Sequence, residues 1–210
     1  MRAMISLTVT LLMAAPLAAL ASRAGSQSPA SEGAVKPTAE LTAPTAAQVA
    51  AAKRQGKVKV KLQTTKGVIE MELDAKAAPV TVANFLNLVK AGFYHGMPFH
   101  RVEPGFVIQA GDPAQVGRPP VGFTIPDEKS PIKHTKGTIA MARTYRAGQM
   151  VPNSGSTQFY ITLAGTPHLD RLGFTAFGKV ISGMSVVEKI AVGDKITKAS
   201  VVGKAAGKRR

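Results

Sequence analysis

From Lys57 onward apolar and polar residues alternate: Val58, Val60 and Leu62 stand between Lys57, Lys59, Lys61 and Gln63, while Met71 and Leu73 stand between Glu70, Glu72 and Asp74. A period of two sends successive side chains to opposite faces of a strand, and Thr64-Thr65-Lys66-Gly67 between the runs has turn chemistry. The pattern predicts a β-hairpin with one buried face. The period then changes. After Pro79 and Thr81, the residues Val82, Phe85, Leu86 and Val89 fall at i, i+3, i+4 and i+7, and Gly92 follows. This spacing predicts an amphipathic helix with a glycine stop.

Short apolar runs follow at Phe99 to Val102, Phe106 to Ala110, Thr138 to Ala142, Gln158 to Leu163 and Thr175 to Val180, separated by Gly, Pro, Asn and Asp clusters. Met184 to Ala191 reads as a second short helix, with Val187, Ile190 and Ala191 on one side, and Lys195 to Val202 as a last strand. Many short strands at such intervals make the fold mainly β, either a closed antiparallel barrel or a sandwich. The domain is expected over residues 57–202.

Outside that stretch the pattern is different. Met1-Arg2, an apolar run from Ile5 to Leu20 and the small-x-small Ala19-Leu20-Ala21 resemble a cleaved export signal over residues 1–21. That predicts a periplasmic or secreted protein with no stable membrane span once the signal is removed. Residues 22–56 are rich in Ala, Ser, Pro and Thr and read as a disordered linker. Thr45 to Arg54 favours helix by composition but lacks a wide apolar face. Residues 203–210 form a basic tail. At 210 residues the chain holds one domain plus tails, and a monomer is expected.

The formal net charge of +15 arises largely from scattered Lys and Arg, without the aromatic interleaving of a single-strand nucleic-acid platform, so no specific nucleic acid is expected. With no cysteine, thiol catalysis, thiolate metal sites and disulfides are excluded. There is no GxSxG, HExxH, phosphate loop or dinucleotide fingerprint, and the four histidines lack metal-ligand spacing. Neither metal nor cofactor is expected.

The segment from Phe99 to Asp112, FHRVEPGFVIQAGD, reads as two strands across a Pro-Gly turn. Pairing across it brings a guanidinium (Arg101), a carboxamide (Gln109) and a ring (Phe106) to one face. Taken alone, such a face is either a site or an ordinary exposed sheet surface with Phe106 in the core.

This segment resembles the signature of the cyclophilin family of peptidyl-prolyl cis-trans isomerases. Further segments agree in order: Gly122 to Glu128; Gly137 to Arg143 leading to Ser156 to Ile161; and His168-Leu169-Asp170 leading to Phe174 to Val180. The resemblance implies an eight-stranded antiparallel β-barrel capped by two α-helices, with a packed interior and the active groove outside. It implies proline-containing segments of unfolded proteins as partners. Arg101, Phe106 and Gln109 would be catalytic, and His100, Val107, Ala142, Arg143, Gln158, Tyr160, His168, Leu169 and Phe174 would bind substrate. His100 and Gln158 have alternative readings, packing beside the groove and supporting a neighbouring strand. A non-catalytic module binding proline peptides is the alternative to an enzyme. Three departures from the family pattern stand out: His168 where many eukaryotic members have a tryptophan that contacts cyclosporin, Ala110 in place of a signature glycine, and a longer loop at Thr144 to Pro152.

Overall fold

The computed structural model describes residues 41–203. The expected signal, the first part of the linker and nearly all of the basic tail lie outside the described residues. In chain order the elements are α1 (Ala46–Gln55), β1 (Lys57–Thr64), β2 (Gly67–Asp74), α2 (Pro79–Lys90), β3 (Met97–Glu103), β4 (Val107–Ala110), a 3-10 turn (Pro113–Val116), β5 (Thr138–Met141), β6 (Tyr145–Arg146), β7 (Gln149–Met150), β8 (Phe159–Thr162), α3 (Pro167–Arg171), β9 (Ala176–Ser182), α4 (Met184–Val187) and β10 (Lys195–Val202).

Eight strands close a barrel in the order β1-β10-β3-β4-β8-β5-β9-β2, and every pairing is antiparallel. The β1–β2 hairpin pairs in unbroken register from Lys57 opposite Asp74 to Thr64 opposite Gly67, because its alternating pattern tolerates no one-residue slip. Val60, Leu62, Ile69, Met71 and Leu73 point inward and are fully buried with Phe99, Phe159 and Phe177. The interior is thus filled by side chains. Helix α2 adds Phe85, whose ring lies 5.0–5.3 Å from those of Tyr94, Phe159 and Phe177. It follows the Asp74 end of β2, whereas Val186 of α4 lies against Gly67 at the other end. The two helices therefore close opposite ends of the barrel.

Two expectations are corrected. The linker was expected to be disordered through residue 56, yet Ala46–Gln55 forms α1, with a capping box between Thr45 and Gln48 and a C-cap at Gly56. The apolar face is indeed narrow, with Ala52 its buried residue. Small side chains let α1 sit close to α2, where Asn87 donates to the Gln48 carboxamide oxygen at 3.1 Å. The second core helix was expected to reach Ala191 but ends at Val187. Asp194 takes over there: its carboxylate accepts from the Ala191 N–H at 2.8 Å and its own N–H donates to the Ala191 carbonyl at 3.1 Å, making a turn into β10.

Candidate active site

A count of two along β3 from Phe99, which faces the barrel interior, would turn Arg101 inward as well. The strand avoids this with a β-bulge: Phe99 pairs with Ala110 and Arg101 pairs with Gln109, so His100 is the extra residue. Arg101 and Glu103 thereby point outward together. The pairing then continues sideways, from Gln109 to Tyr160, from Tyr160 to Ala140 and from Ala140 to Ala176. One row of residues on β3, β4, β8, β5 and β9 thus presents a guanidinium, a carboxamide, a phenol and two methyl groups on the barrel's outer surface.

The two alanines leave a hollow in this row, and loops line it. Val107, Ala140, Ala142, Tyr160, Leu169, Phe174 and Ala176 form a second apolar cluster, separate from the interior, with Phe106 and Ile132 packed against it. Above this cluster opens a pocket of about 520 Å³. Arg101, Phe106, Val107, Gln109, Ala142, Arg143, Tyr160, His168, Leu169 and Phe174 all line it. The expected site residues are therefore brought together, with two exceptions. Gln158 lies in an adjoining hollow with Ala142, Arg143 and Ser156, where its carboxamide oxygen accepts from Gln109 Nε2 at 2.8 Å. It supports Gln109 from behind. His100 is half-buried at the bulge, its Nδ1 without a hydrogen-bond partner among the described residues; burial lowers its pKa and favours the neutral ring.

Arg101 is held in plane. Its Nε and Nη2 donate to Glu103 Oε1 at 2.8 and 2.7 Å, its Nη1 donates to Gln109 Oε1 at 3.1 Å, and its Cζ stands 5.7 Å from the centre of the Phe106 ring. An arginine carries five N–H donors, so two remain without a partner among the described residues, at the pocket's edge. Phe106 is in turn stacked on His168, 5.6 Å away at 22°.

Arg143, expected among the substrate contacts, lines the pocket, and its side chain also braces the neighbouring loop. Nε donates to Asp127 at 2.9 Å, Nη1 to the Leu172 carbonyl at 3.0 Å and Nη2 to the Gly173 carbonyl, while Cζ lies 5.0 Å from the Phe174 ring centre. It fixes the loop that carries Phe174.

Reading the sequence alone missed the support beneath the floor. The buried His134 donates from Nδ1 to Asp170 at 2.7 Å, and its Nε2 accepts from the Tyr160 hydroxyl at 2.9 Å. A carboxylate can only accept, so in the neutral ring Asp170 places the imidazole proton on Nδ1 and leaves Nε2 as an acceptor. Burial pushes the Asp170 pKa up, but the His134 side-chain and backbone donors outweigh it and hold the carboxyl below its ordinary range. Burial drives the Tyr160 hydroxyl well above the usual tyrosine value, so it stays protonated. The pair His134–Asp170 lies 36 residues apart in the chain, with no local pattern to reveal it. Among the described residues no group of three or more His, Asp or Glu side chains is placed to hold a metal ion.

Residues 59–205 match the family profile described as cyclophilin type peptidyl-prolyl cis-trans isomerase/CLD. A peptidyl-prolyl cis-trans isomerase of Schizosaccharomyces pombe is 46% identical over 140 residues, covering 63% of this chain and 84% of the relative. Peptidyl-prolyl cis-trans isomerase B of Bacillus subtilis is 42% identical over 137 residues, covering 64% and 91%. Among solved structures, a cyclophilin from Hirschia baltica superposes with a TM-score of 0.62 at 26% identity, covering 72% of this chain and 76% of that one. A Cryptosporidium parvum cyclophilin type isomerase, solved in the presence of the dipeptide Ala-Pro, gives 0.60 at 28% identity, covering 70% and 99%.

Proposed function

The chain belongs to the cyclophilin-type peptidyl-prolyl cis-trans isomerases, and from that membership we propose that Arg101 accelerates rotation about X-Pro bonds by donating to the proline nitrogen at the transition state. The barrier to rotation, about 18–20 kcal/mol, is the lost amide resonance. At the twisted geometry the nitrogen becomes pyramidal and gains a lone pair. A donor aimed there stabilises the transition state more than either planar isomer.

The free N–H groups of Arg101 at the rim of an apolar pocket carry this reading. Glu103 and Gln109 hold the guanidinium before substrate arrives, so little reorganisation is left for the reactive moment. Phe106, Val107, Tyr160, Leu169 and Phe174 suit the proline ring, and the second N–H of the Gln109 carboxamide suits a peptide carbonyl beside it. Uncatalysed isomerisation takes about tens to hundreds of seconds, so turnover of roughly 10–1,000 per second needs about 4–8 kcal/mol of barrier reduction. One preorganised donor supplies about 3–4 kcal/mol. Positioning of the ring and the flanking peptide supplies the remainder.

The substrates proposed are unfolded or newly exported chains, met as a monomer in the periplasm or outside the cell; the signal-like residues 1–21 support that location. The test is refolding of a protein whose slow phase is proline isomerisation. Catalytic amounts of this chain should shorten that phase, and cell fractionation should find the protein beginning at Ser22 outside the cytoplasm. Binding of unfolded protein with no acceleration would overturn the reading in favour of a non-catalytic module.

A further inference from the structure

The loop after β5 folds back as a hairpin. Tyr145 pairs with Met150 and Arg146 with Gln149, around a turn in which Ala147 and Gly148 take φ of 50° and 80°. Opposite partners in a strand pair share a face. The apolar pair, Tyr145 and Met150, lines the proline pocket, while the polar pair does not.

The base of this hairpin is fixed. Thr144 N–H donates to Ser154 Oγ at 2.9 Å, and Asp127 Oδ2 accepts from the Asn153 N–H at 2.8 Å while Oδ1 takes Arg143 Nε. The tip is open: Tyr145 is 64% exposed and Met150 41%, and Leu172, beside them on the same rim, is 56% exposed. Its carbonyl is gripped by Arg143. Three large apolar side chains left in water around one opening mark a surface that is covered on binding. Their place is also informative. In the barrel order β3-β4-β8-β5, this wall rises beyond β5, across the pocket from Arg101 on β3. With a proline ring seated and its nitrogen near Arg101, the wall meets the residue adjoining the proline rather than the ring.

We propose that the β6–β7 hairpin is a specificity element that, together with Leu172, selects X-Pro segments carrying a large apolar or aromatic residue beside the proline. The inference rests on the isomerase reading and names its substrate class. Covering roughly 50 Å² of apolar surface corresponds to about a tenfold preference.

The test is kcat/KM on peptides with Ala, Leu, Phe or Glu placed in turn on each side of the proline, for the wild type and Y145S/M150S. The wild type should favour Leu or Phe over Ala by about five- to tenfold at one flank, with Glu poorest. The double variant should compress that ratio to within about twofold, whereas Y145F, which keeps the ring, should retain it. A wild type without preference, or a preference untouched by the double variant, overturns the inference and leaves the isomerase reading standing. No acceleration of any peptide is instead a failure of the isomerase reading itself.

Discussion

Replacing Tyr160 by Phe separates what the ring does from what the hydroxyl does. The ring floors the pocket and meets Phe174 edge-on at 6.0 Å, and both interactions survive the change. The hydroxyl donates to His134 Nε2 at 2.9 Å, and His134 is only 2% exposed. Asp170 keeps the proton on Nδ1, so the orphaned Nε2 has no donor and no ready access to water. Leaving a buried acceptor unpaired costs about 1–3 kcal/mol. In a domain of this size each kcal/mol lowers the melting temperature by about 2–4 °C, so a fall of roughly 2–12 °C is expected. Denaturant titration of wild type, Y160F, D170N and the double variant completes a thermodynamic cycle. Both substitutions act through one imidazole, since D170N releases the tautomer that Tyr160 depends on. Their effects should fall short of additivity by more than about 0.5 kcal/mol. Full stability in Y160F, or strict additivity, would refute the described support.

Three further outcomes follow from the same geometry. The folded Asp170 pKa is depressed, so its contribution to stability is fully present above the ordinary carboxylate value of about 3.9 and is lost as pH falls through the folded value. Acid denaturation curves of wild type and D170N should therefore converge below that range and separate above it; a gap that widens in acid would contradict the assignment. Gly111 has φ of +97°, and a Cβ there would collide with the Thr157 carbonyl oxygen. G111A should destabilise by roughly 2–4 kcal/mol and, by shifting the neighbouring Gln158, lower kcat/KM; unfolding and peptide assays on the same preparation check both. F106A removes the ring shared by Arg101 and His168. Since Phe106 is not part of the interior, kcat/KM should drop by about 10–100-fold while stability changes by less than about 1.5 kcal/mol.

The legible parts of the fold were those whose signal is local and periodic. The β1–β2 alternation and the i, i+3, i+4, i+7 spacing of α2 each specify a face, and the faces they specify are buried. The apolar runs around Phe99, Ile108, Ile139, Ile161 and Phe177 all became barrel strands, although their number and closure came from the family resemblance and not from periodicity. The bulge at His100 was not legible, because one extra residue leaves no trace in composition, yet it decides whether Arg101 faces the interior or the groove. The helical tendency of α1 was legible in its composition, but its docking was not, because its packing rests on a single buried alanine and on caps. The β6–β7 hairpin escaped because strands of two residues have no period to detect. The pairing of Arg101 with Gln109 could be read across the Pro-Gly turn. The His134 link between Asp170 and Tyr160 could not, since it joins three separate segments.

The role proposed for Arg101 is to act on the transition state more than on bound substrate. Exchange NMR on a proline peptide gives the catalysed interconversion rate and the dissociation constant in one sample. R101A should lose about 100- to 1,000-fold in rate, with peptide still bound in the pocket and affinity reduced far less. A rate that persists, or a loss matched step for step by lost binding, would contradict it.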